Sequence, residues 1–389
     1  ANIPSIVFEK HRTLTSEHRR DWNMGLHWGA PLLRSLLPAS SWSRIQTVQV
    51  DPHAPTPEHD HLNFLNAQTG EVMNALPVSF FYRLRRAKLR SLLAEGVDVR
   101  FGKRLHDASA DAPGTSAPGT STVTARFSDG TRATGAAVVG ADGARSKVRS
   151  LLLGPSAGTL DTLPLAATFV QARYPRDRAL FLRSFHPLYL GGIHPGGHFA
   201  FFGLHDAAAA AAPESWTFFF YISWRCGDDE DEGARLGWGD RERLAQAKRF
   251  AAGFAEPWRS AYDWLPDEHP VWYMRLTEWD PGAPGHGWDG RVGRVTLAGD
   301  AAHAMTYQRG QGLNHSVADA DKLVGAVKAF VGGEVSRAQA MEAYEEEMKR
   351  RAGEEVRTST LNSKMLHDWE KVLASPLFKS GMTKTEGKK

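Results

Sequence analysis

The sequence holds a single cysteine, Cys226. That excludes an internal disulfide, and with it the small cross-linked folds of secreted proteins, so a reducing, cytoplasmic setting is expected. No apolar run reaches the ~18–20 residues of a membrane span, and Ala1 to Lys10 lack the long apolar stretch of a signal peptide. Neither sign of charge dominates: 47 Lys plus Arg stand against 44 Asp plus Glu, a formal charge of +3. With no basic run, a nucleic-acid partner is not expected. What the chain does have is length. Its 389 residues allow two or three structural units at ~100–200 residues each, which suits a soluble enzyme. It begins at Ala1, its first methionine is Met24, and strand-like residues start almost at once, so it reads as cut at the N-terminus.

Ile6-Val7-Phe8 is a short β-prone run ending at Glu9, followed by a polar stretch from Lys10 to Asp21. Between Ile45 and Phe81 the spacing predicts short strands such as Thr47–Val50, separated by the Pro-rich Asp51 to Pro57. Arg83 to Leu93 has helical spacing, with Leu84, Leu89, Leu92 and Leu93 apolar, and Gly96 is its natural stop. Val97 to Phe101 reads as a strand, Ala108 to Ser121 as a low-complexity surface loop, and Thr122 to Thr134 as a hairpin turning at Asp129-Gly130. A valine-rich strand, Ala136 to Gly140, then runs into Asp142-Gly143. From Thr159 to Trp224 the texture is β-rich and aromatic. Arg291 to Ala298 is another strand, ending in Gly299-Asp300. Beyond it Leu313, Val317, Ala320, Val324 and Val327 mark one face of a buried helix. Ser336 and Gln339 form a capping box. Met341, Tyr344, Met348, Ala352 and Val356 then predict a long terminal helix, with a frayed tail from Lys379.

The strongest chemical signal is Gly299-Asp300-Ala301-Ala302-His303, followed by Gly310-Gln311-Gly312-Leu313-Asn314 at the start of a helix. Small residues let the backbone approach a flat ligand, and the helix N-terminus offers free amides at the positive end of its dipole. Such a site holds negative charge. If the ligand is a flavin, that charge is the reduced ring's, and Asp300 accepts from a ribityl hydroxyl.

This segment resembles the "GD" motif of the FAD-dependent, single-component aromatic-ring monooxygenases of the p-hydroxybenzoate hydroxylase type. Gly140-Ala141-Asp142-Gly143-Ala144-Arg145-Ser146-Lys147-Val148-Arg149 resembles their "DG" motif, and the two occur in the family order. The resemblance covers roughly Ile3 to Leu323, and from Thr168 to Trp224 it is nearest to fungal secondary-metabolism members. It implies that Asp142 supports flavin binding and communicates with a nicotinamide donor, that Glu9 binds the adenosine ribose, and that Arg86 contacts the flavin, with Arg83 and Arg85 as close competitors. There are two departures. Tyr307 stands where the family has a proline, and the G-x-G-x-x-G loop is absent. Gly191-Gly192 to Gly196-Gly197 has the wrong spacing for that loop and no following helix. A first strand and that loop imply about 30 residues before Ala1.

The fold this implies is α/β: a doubly wound FAD/NAD(P)-binding sheet with an inserted β-rich substrate domain and a long C-terminal helix. Residues 1–44, 82–154 and 287–330 would form the FAD-binding domain. Residues 45–81 and 155–286 would form the substrate domain, and 331–389 the terminal helix and tail. The implied chemistry uses NADPH or NADH to reduce FAD, O2 to form a C4a-hydroperoxyflavin, and transfer of one oxygen to an aromatic, indole or phenolic small molecule. A flavin-binding reductase or halogenase on the same fold, a non-catalytic remnant and a half-protein completed by another chain stay open, as does a homodimer.

Other features read as structural. A packing role suits His303 better than acid–base catalysis. Glu58-His59-Asp60-His61 has metal-like composition but sits in a Pro-rich stretch without a second cluster, so no metal is expected. Arg183, in the β-rich unit with His186, is the one cation offered as a substrate contact, holding a phenolate or a polar substituent.

Overall fold

The computed structural model describes residues 3–14, 20–110, 122–227 and 235–375. Most of the low-complexity loop and the tail from Lys379 lie outside the described residues.

The largest unit is a seven-stranded sheet, in spatial order Val271–Glu278, Asp161–Ala172, Thr217–Arg225, His198–Asp206, Tyr189–His194, His59–Asn66 and Val72–Ser79. Neighbours are antiparallel, except that Tyr189–His194 and His59–Asn66 run parallel. Successive side chains of a strand point to opposite faces. Thr217–Arg225 accordingly sends Phe218, Phe220 and Ile222 one way and Phe219 and Tyr221 the other. The helices Asp240–Ala251 and Trp258–Asp263 cover the first face through Leu244, Ala247, Trp258 and Tyr262. The second face meets Met365 and Leu366, at the end of the 30-residue helix Arg337–Leu366, and Tyr307. Gly191 and Gly192 lie inside this sheet: a Cβ would come within 2.8 Å of the Phe64 ring at the first and 2.6 Å of Trp258 at the second. They are strand positions emptied for two rings on opposite faces.

Parallel pairing recurs in two short ladders, Val7–Phe8 with Val99–Arg100 and Val138–Gly140 with Val295–Leu297. A three-stranded antiparallel sheet, Leu105–Ala110, Val123–Phe127 and Arg132–Gly135, turns at Gly130, whose φ is +83°. Asn23–Leu26 pairs antiparallel with Tyr82–Arg85, and the helices Gly312–Val331 and Arg337–Leu366 pack together. The terminal helix follows its sequence pattern: Met341, Tyr344, Met348, Ala352 and Val356 are all buried, and Ser336 and Gln339 close the capping box.

Several local expectations are corrected. Thr47–Val50 is not a strand: Ile45–Val48 forms a 3-10 turn that buries Ile45 and Val48 on one side, a spacing natural to three residues per turn. Arg83 to Arg85 belong to a strand, and the helix starts at Arg86. Arg291 and Val292 adopt φ of +52° and +60°, which trims the expected strand to Val295–Leu297. Phe181 to Ser184 lie in the helix Arg176–Ser184. His59 to His61 open a strand rather than a loop, and among the described residues no cluster of three or more His, Cys, Asp or Glu could hold a metal. The buried face of Gly312–Val331 carries Asn314, His315, Val317, Ala318 and Asp319, whereas Ala320 and Val324 are exposed. Polar residues took the inward face because they have partners there.

Candidate active site

The two motifs leave adjacent strands. Gly140 lies opposite Leu297 in the parallel pair, and Ala298 N donates to Gly140 O at 2.9 Å. Asp142 and Asp300 therefore emerge at the same carboxyl end of a parallel pair, where such sheets bind ligands. Gly299 makes the turn from the strand Val295–Leu297 into Asp300 with φ +61°, and a Cβ there would meet Ser316 Oγ at 3.0 Å.

Asp300 opens the short helix Asp300–His303, and its carboxylate accepts no hydrogen bond among the described residues. Burial pushes its pKa up, offset in part by His303 and Arg86. The side chain is nonetheless solvent-exposed. Both observations fit a carboxylate on the floor of an open cleft, walled by protein yet reachable. Beside it, the helix Gly312–Val331 begins just after Gly310, whose φ is +65°. The first bond of that helix runs from His315 N to Gln311 O at 3.1 Å, so the amides of Gly312, Leu313 and Asn314 have no acceptor among the described residues. Three free amides and a dipole end suit an electron-rich carbonyl or anion.

The Asn314 side chain, by contrast, is occupied. Its Oδ1 accepts from the amides of His27 (3.0 Å) and Gly29 (3.1 Å), and its Nδ2 donates to Gly25 O at 3.0 Å. Asn314 thus ties the helix to the strand Asn23–Leu26 and leaves only its amide for a ligand. One turn further, Asp319 accepts from Gly299 N (2.7 Å), His303 Nε2 (2.6 Å) and Arg351 Nη2 (2.7 Å). Burial opposes its ionisation, but His303 and Arg351 together hold its pKa down to about 2. Arg351 also donates to His315 Nδ1 at 2.9 Å. This network, with Asp319 and His303 fully buried and Arg351 nearly so, fixes the glycine–aspartate turn to the terminal helix.

Asp142 caps a helix. Its carboxylate accepts from Ser146 Oγ and from the amides of Lys147 (2.6 Å) and Val148 (3.3 Å) at the start of Lys147–Ala157, and Gly143 follows with φ +83°. Arg149, buried in that helix, donates to the carbonyls of Ala144, Gly158 (3.0 Å) and Ala301 (2.9 Å) and lies 4.8 Å over Trp279. The two motifs are therefore joined through one side chain.

Glu9 ends its strand with one carboxylate oxygen on Arg90 (3.1 Å) and the other accepting from His11 N (2.9 Å). Among the three candidate arginines, Arg85 is neutralised by Asp21 (3.0 Å) and Asp206. Arg86 begins its helix 4.4 Å over Trp22, and its charge is felt by Asp21, Asp300 and Glu9. Arg183 is not brought to this cleft. It pairs with buried Asp51 and lies 4.5 Å over Trp216, against the helix-covered face of the sheet, while Tyr307 packs on the opposite face. Its charge and its flat face are both taken.

The face of the sheet on which Tyr307 packs is aromatic. Tyr307 touches Phe169 (5.5 Å between centroids) and Tyr221 (5.1 Å), Tyr221 stacks on Phe201 (5.7 Å), and Arg83 lies 4.8 Å over Phe201. His27 stacks on Phe81 at 5.7 Å and is kept neutral, its pKa lowered to about 4 by burial and then by Arg309. The hydroxyls of Tyr189 and Tyr307 and the Nε2 of His27 are buried without a partner. Sequence reasoning missed His27, Tyr189 and the Asp319 network, and weighed Arg83 only as a substitute for Arg86. The available signal was a charge at an inward helix position, Asp319, flanked by a histidine four residues before.

A parallel pair carrying both motifs beside a free helix N-terminus defines an α/β fold of the dinucleotide-binding kind. The chain belongs to the FAD-dependent monooxygenases. An FAD binding domain family matches residues 272–359. The FAD-dependent monooxygenase cctM of Talaromyces islandicus is 36% identical over 98% of this chain and 91% of its own length. The FAD-dependent monooxygenase phnB of Penicillium herquei is 34% identical over 100% and 91%. Among solved structures, Klebsiella pneumoniae HpxO complexed with FAD and uric acid superposes with a TM-score of 0.69 at 18% identity, covering 98% of this chain and 92% of that one. The protein is thus an FAD-dependent monooxygenase, acting with O2 on a small molecule, and no helix among the described residues is long and apolar enough to cross a membrane.

Proposed function

We propose that the chain uses NAD(P)H and O2 to hydroxylate or epoxidise an aromatic, indole or phenolic small molecule in the cleft between the glycine–aspartate turn and the aromatic face of the sheet. The observation that carries this reading is the contact of Tyr307, in the loop between the helices Asp300–His303 and Gly312–Val331, with Phe169 and Tyr221 of the sheet. It sets a flat apolar wall beside the place where an isoalloxazine ring would rest. The residues fit FAD: Asp300 would offer an unpartnered carboxylate to a ribityl hydroxyl, and the amides of Gly312, Leu313 and Asn314 would hold negative charge on the ring. Arg86 would supply a cation near Asp300, Glu9 would hold the ribose, and Asp142 with Gly143 would shape the neighbouring strand exit. FAD supplies the oxygen activation when reduced by the nicotinamide. The chain's own work is to orient the two rings, to hold charge at the helix N-terminus and to keep water away with Phe201, Phe219 and Tyr221.

The test is reconstitution with FAD, followed by NADPH or NADH, O2 and a panel of phenols and indoles, with mass spectrometry for products heavier by one oxygen atom. Oxygenated product that depends on both nicotinamide and O2 is expected. Nicotinamide-driven peroxide release across the whole panel, with no oxygenated product, would count against it.

A further inference from the structure

We propose that the seven-stranded sheet carries a second ligand site, remote from the cleft and suited to a small organic anion, whose occupant acts on the cleft through the terminal helix.

The site is a cavity of about 460 Å3 beside the turn at Gly196-Gly197. Strand alternation separates it from the aromatic face. Trp224, in its wall, stands three residues beyond Tyr221 on the same strand and therefore points to the opposite side of the sheet. Three of the lining side chains hold polar atoms that are shut off from bulk water and have no partner: Trp224 Nε1, His198 Nδ1 and Gln246 Oε1. Trp224 and Gln246 are only 5% and 4% exposed. A buried donor or acceptor left unmade is costly, and an indole N–H can only donate while an amide oxygen can only accept. One such atom is an ordinary packing defect. Three around one cavity of small-molecule size call for a ligand that brings both an acceptor and a donor.

Charge defines the rest of that ligand. Arg225, Arg235 and Arg249 line the same cavity, with no carboxylate among the described lining residues. Arg249 has no acceptor among the described residues, and Arg225 makes a 3.4 Å bond to Lys364 O with Asp368 3.8 Å away. His198 and His367 add no charge at neutral pH, because burial lowers the pKa of each to about 4. Phe250, 4.5 Å from the His198 ring and 5.3 Å from the Trp224 ring, completes an aromatic wall. Guanidinium groups pair with carboxylate or phosphate. The matching ligand is a small molecule with an apolar ring, an amide-like donor and acceptor, and one of those two oxyanions.

The route to the cleft is short. His367 lines the cavity, with its Nε2 2.8 Å from Ser223 Oγ and its Nδ1 donating to Ser363 O at 2.6 Å. Ser363 Oγ bonds in turn to Thr306 Oγ1 (2.7 Å) and Gln308 Oε1 (2.8 Å), the two neighbours of Tyr307. A ligand that favours one placement of His367 therefore favours one placement of the loop that packs Tyr307 on the sheet.

Two matched probe pairs test this by titration calorimetry on the FAD-loaded protein: hippurate against its methyl ester, and 4-acetamidophenyl phosphate against 4-acetamidoanisole. Wild type should bind at least one anion about tenfold tighter than its neutral match, about 1.4 kcal/mol, and which one does so assigns carboxylate or phosphate. Arg225→Gln combined with Arg249→Gln, both exposed positions, should abolish that preference. Trp224→Phe should weaken both members of the pair alike. The saturating anion should change FAD affinity, read by flavin fluorescence, by about fivefold or more, and Ser363→Ala should keep anion binding but lose that change. Equal affinity within both pairs, a preference kept by the double variant, or an FAD affinity unmoved by the bound anion overturns the proposal. The wild-type measurements decide even where a variant does not fold.

Discussion

The two faces of the seven-stranded sheet come from the same strands and were put to different uses. On the helix-covered face, Phe218, Phe220, Trp258 and Tyr262 interlock at zero or near-zero exposure, and Gly192 clears room for Trp258. On the other face, Phe201, Phe219 and Tyr221 lie with Tyr307 and the end of the terminal helix, and Arg83 sits over Phe201. Buried polar atoms without a protein partner occur on both faces, Trp258 Nε1 and Tyr262 OH on the first and the Tyr307 hydroxyl on the second. The faces differ in their cover: two helices on one, the motif loop and the terminal helix on the other. Strand alternation makes this economical, because a single run such as Phe218-Phe219-Phe220-Tyr221 supplies ballast and binding wall in turn.

That contrast can be broken most severely at Trp258. Trp258→Ala should cost ~3–5 kcal/mol of stability, read by denaturant unfolding, with FAD affinity unchanged in the fraction still folded. A loss under about 1 kcal/mol would mean the helix-covered face is not close-packed. Acid tests the other side. His27, His205 and His367 are buried with pKa lowered to about 4, chiefly by desolvation. Because the unfolded chain takes up these protons first, near pH 6.5, stability is fully present above that pH, falls as pH drops toward 4 and levels off below it. Each such histidine accounts for roughly 3 kcal/mol of that loss. A melting temperature flat from pH 7 to 4 would show that these rings are not held neutral.

Smaller effects separate binding from folding. Asp300→Ala removes a charged acceptor worth ~1.5–3 kcal/mol, so FAD affinity should fall about tenfold or more. The apoprotein's stability should not fall, since that carboxylate has no protein partner to lose. Unchanged flavin retention after dialysis would remove Asp300 from the site. Tyr189→Phe should alter stability least, by less than about 1 kcal/mol and toward a gain, because it deletes a hydroxyl buried without a partner. A clear destabilisation would mean that the hydroxyl is satisfied in solution and the cleft is more complete than it looks.

Periodicity decided what could be foreseen. The terminal helix was legible because Met341, Tyr344, Met348, Ala352 and Val356 obey a single apolar stripe. The strand exits at Asp142 and Asp300 were legible because glycine and aspartate mark turns locally. The inward face of Gly312–Val331 was not, since Asn314, His315 and Asp319 are buried by partners as distant in sequence as Gly25 and Arg351. The same holds for Arg183: its residue type and its neighbourhood suggested a substrate contact, but its neutralising Asp51 lies 132 positions away. Ion-pair partners of this kind leave no trace in local composition.

Arg149 carries a consequence for how such a chain can be altered. It grows from the helix that Asp142 caps, and its guanidinium holds the carbonyl of Ala301 in the other motif. Residues 142–149 and 299–303 are therefore a single fitting with one fastener, though more than a hundred residues of sheet are threaded between them. The acceptor is a main-chain carbonyl that any residue at 301 supplies, so a chimera needs only to keep the arginine at 149 and the pairing of the two strands that sets its reach.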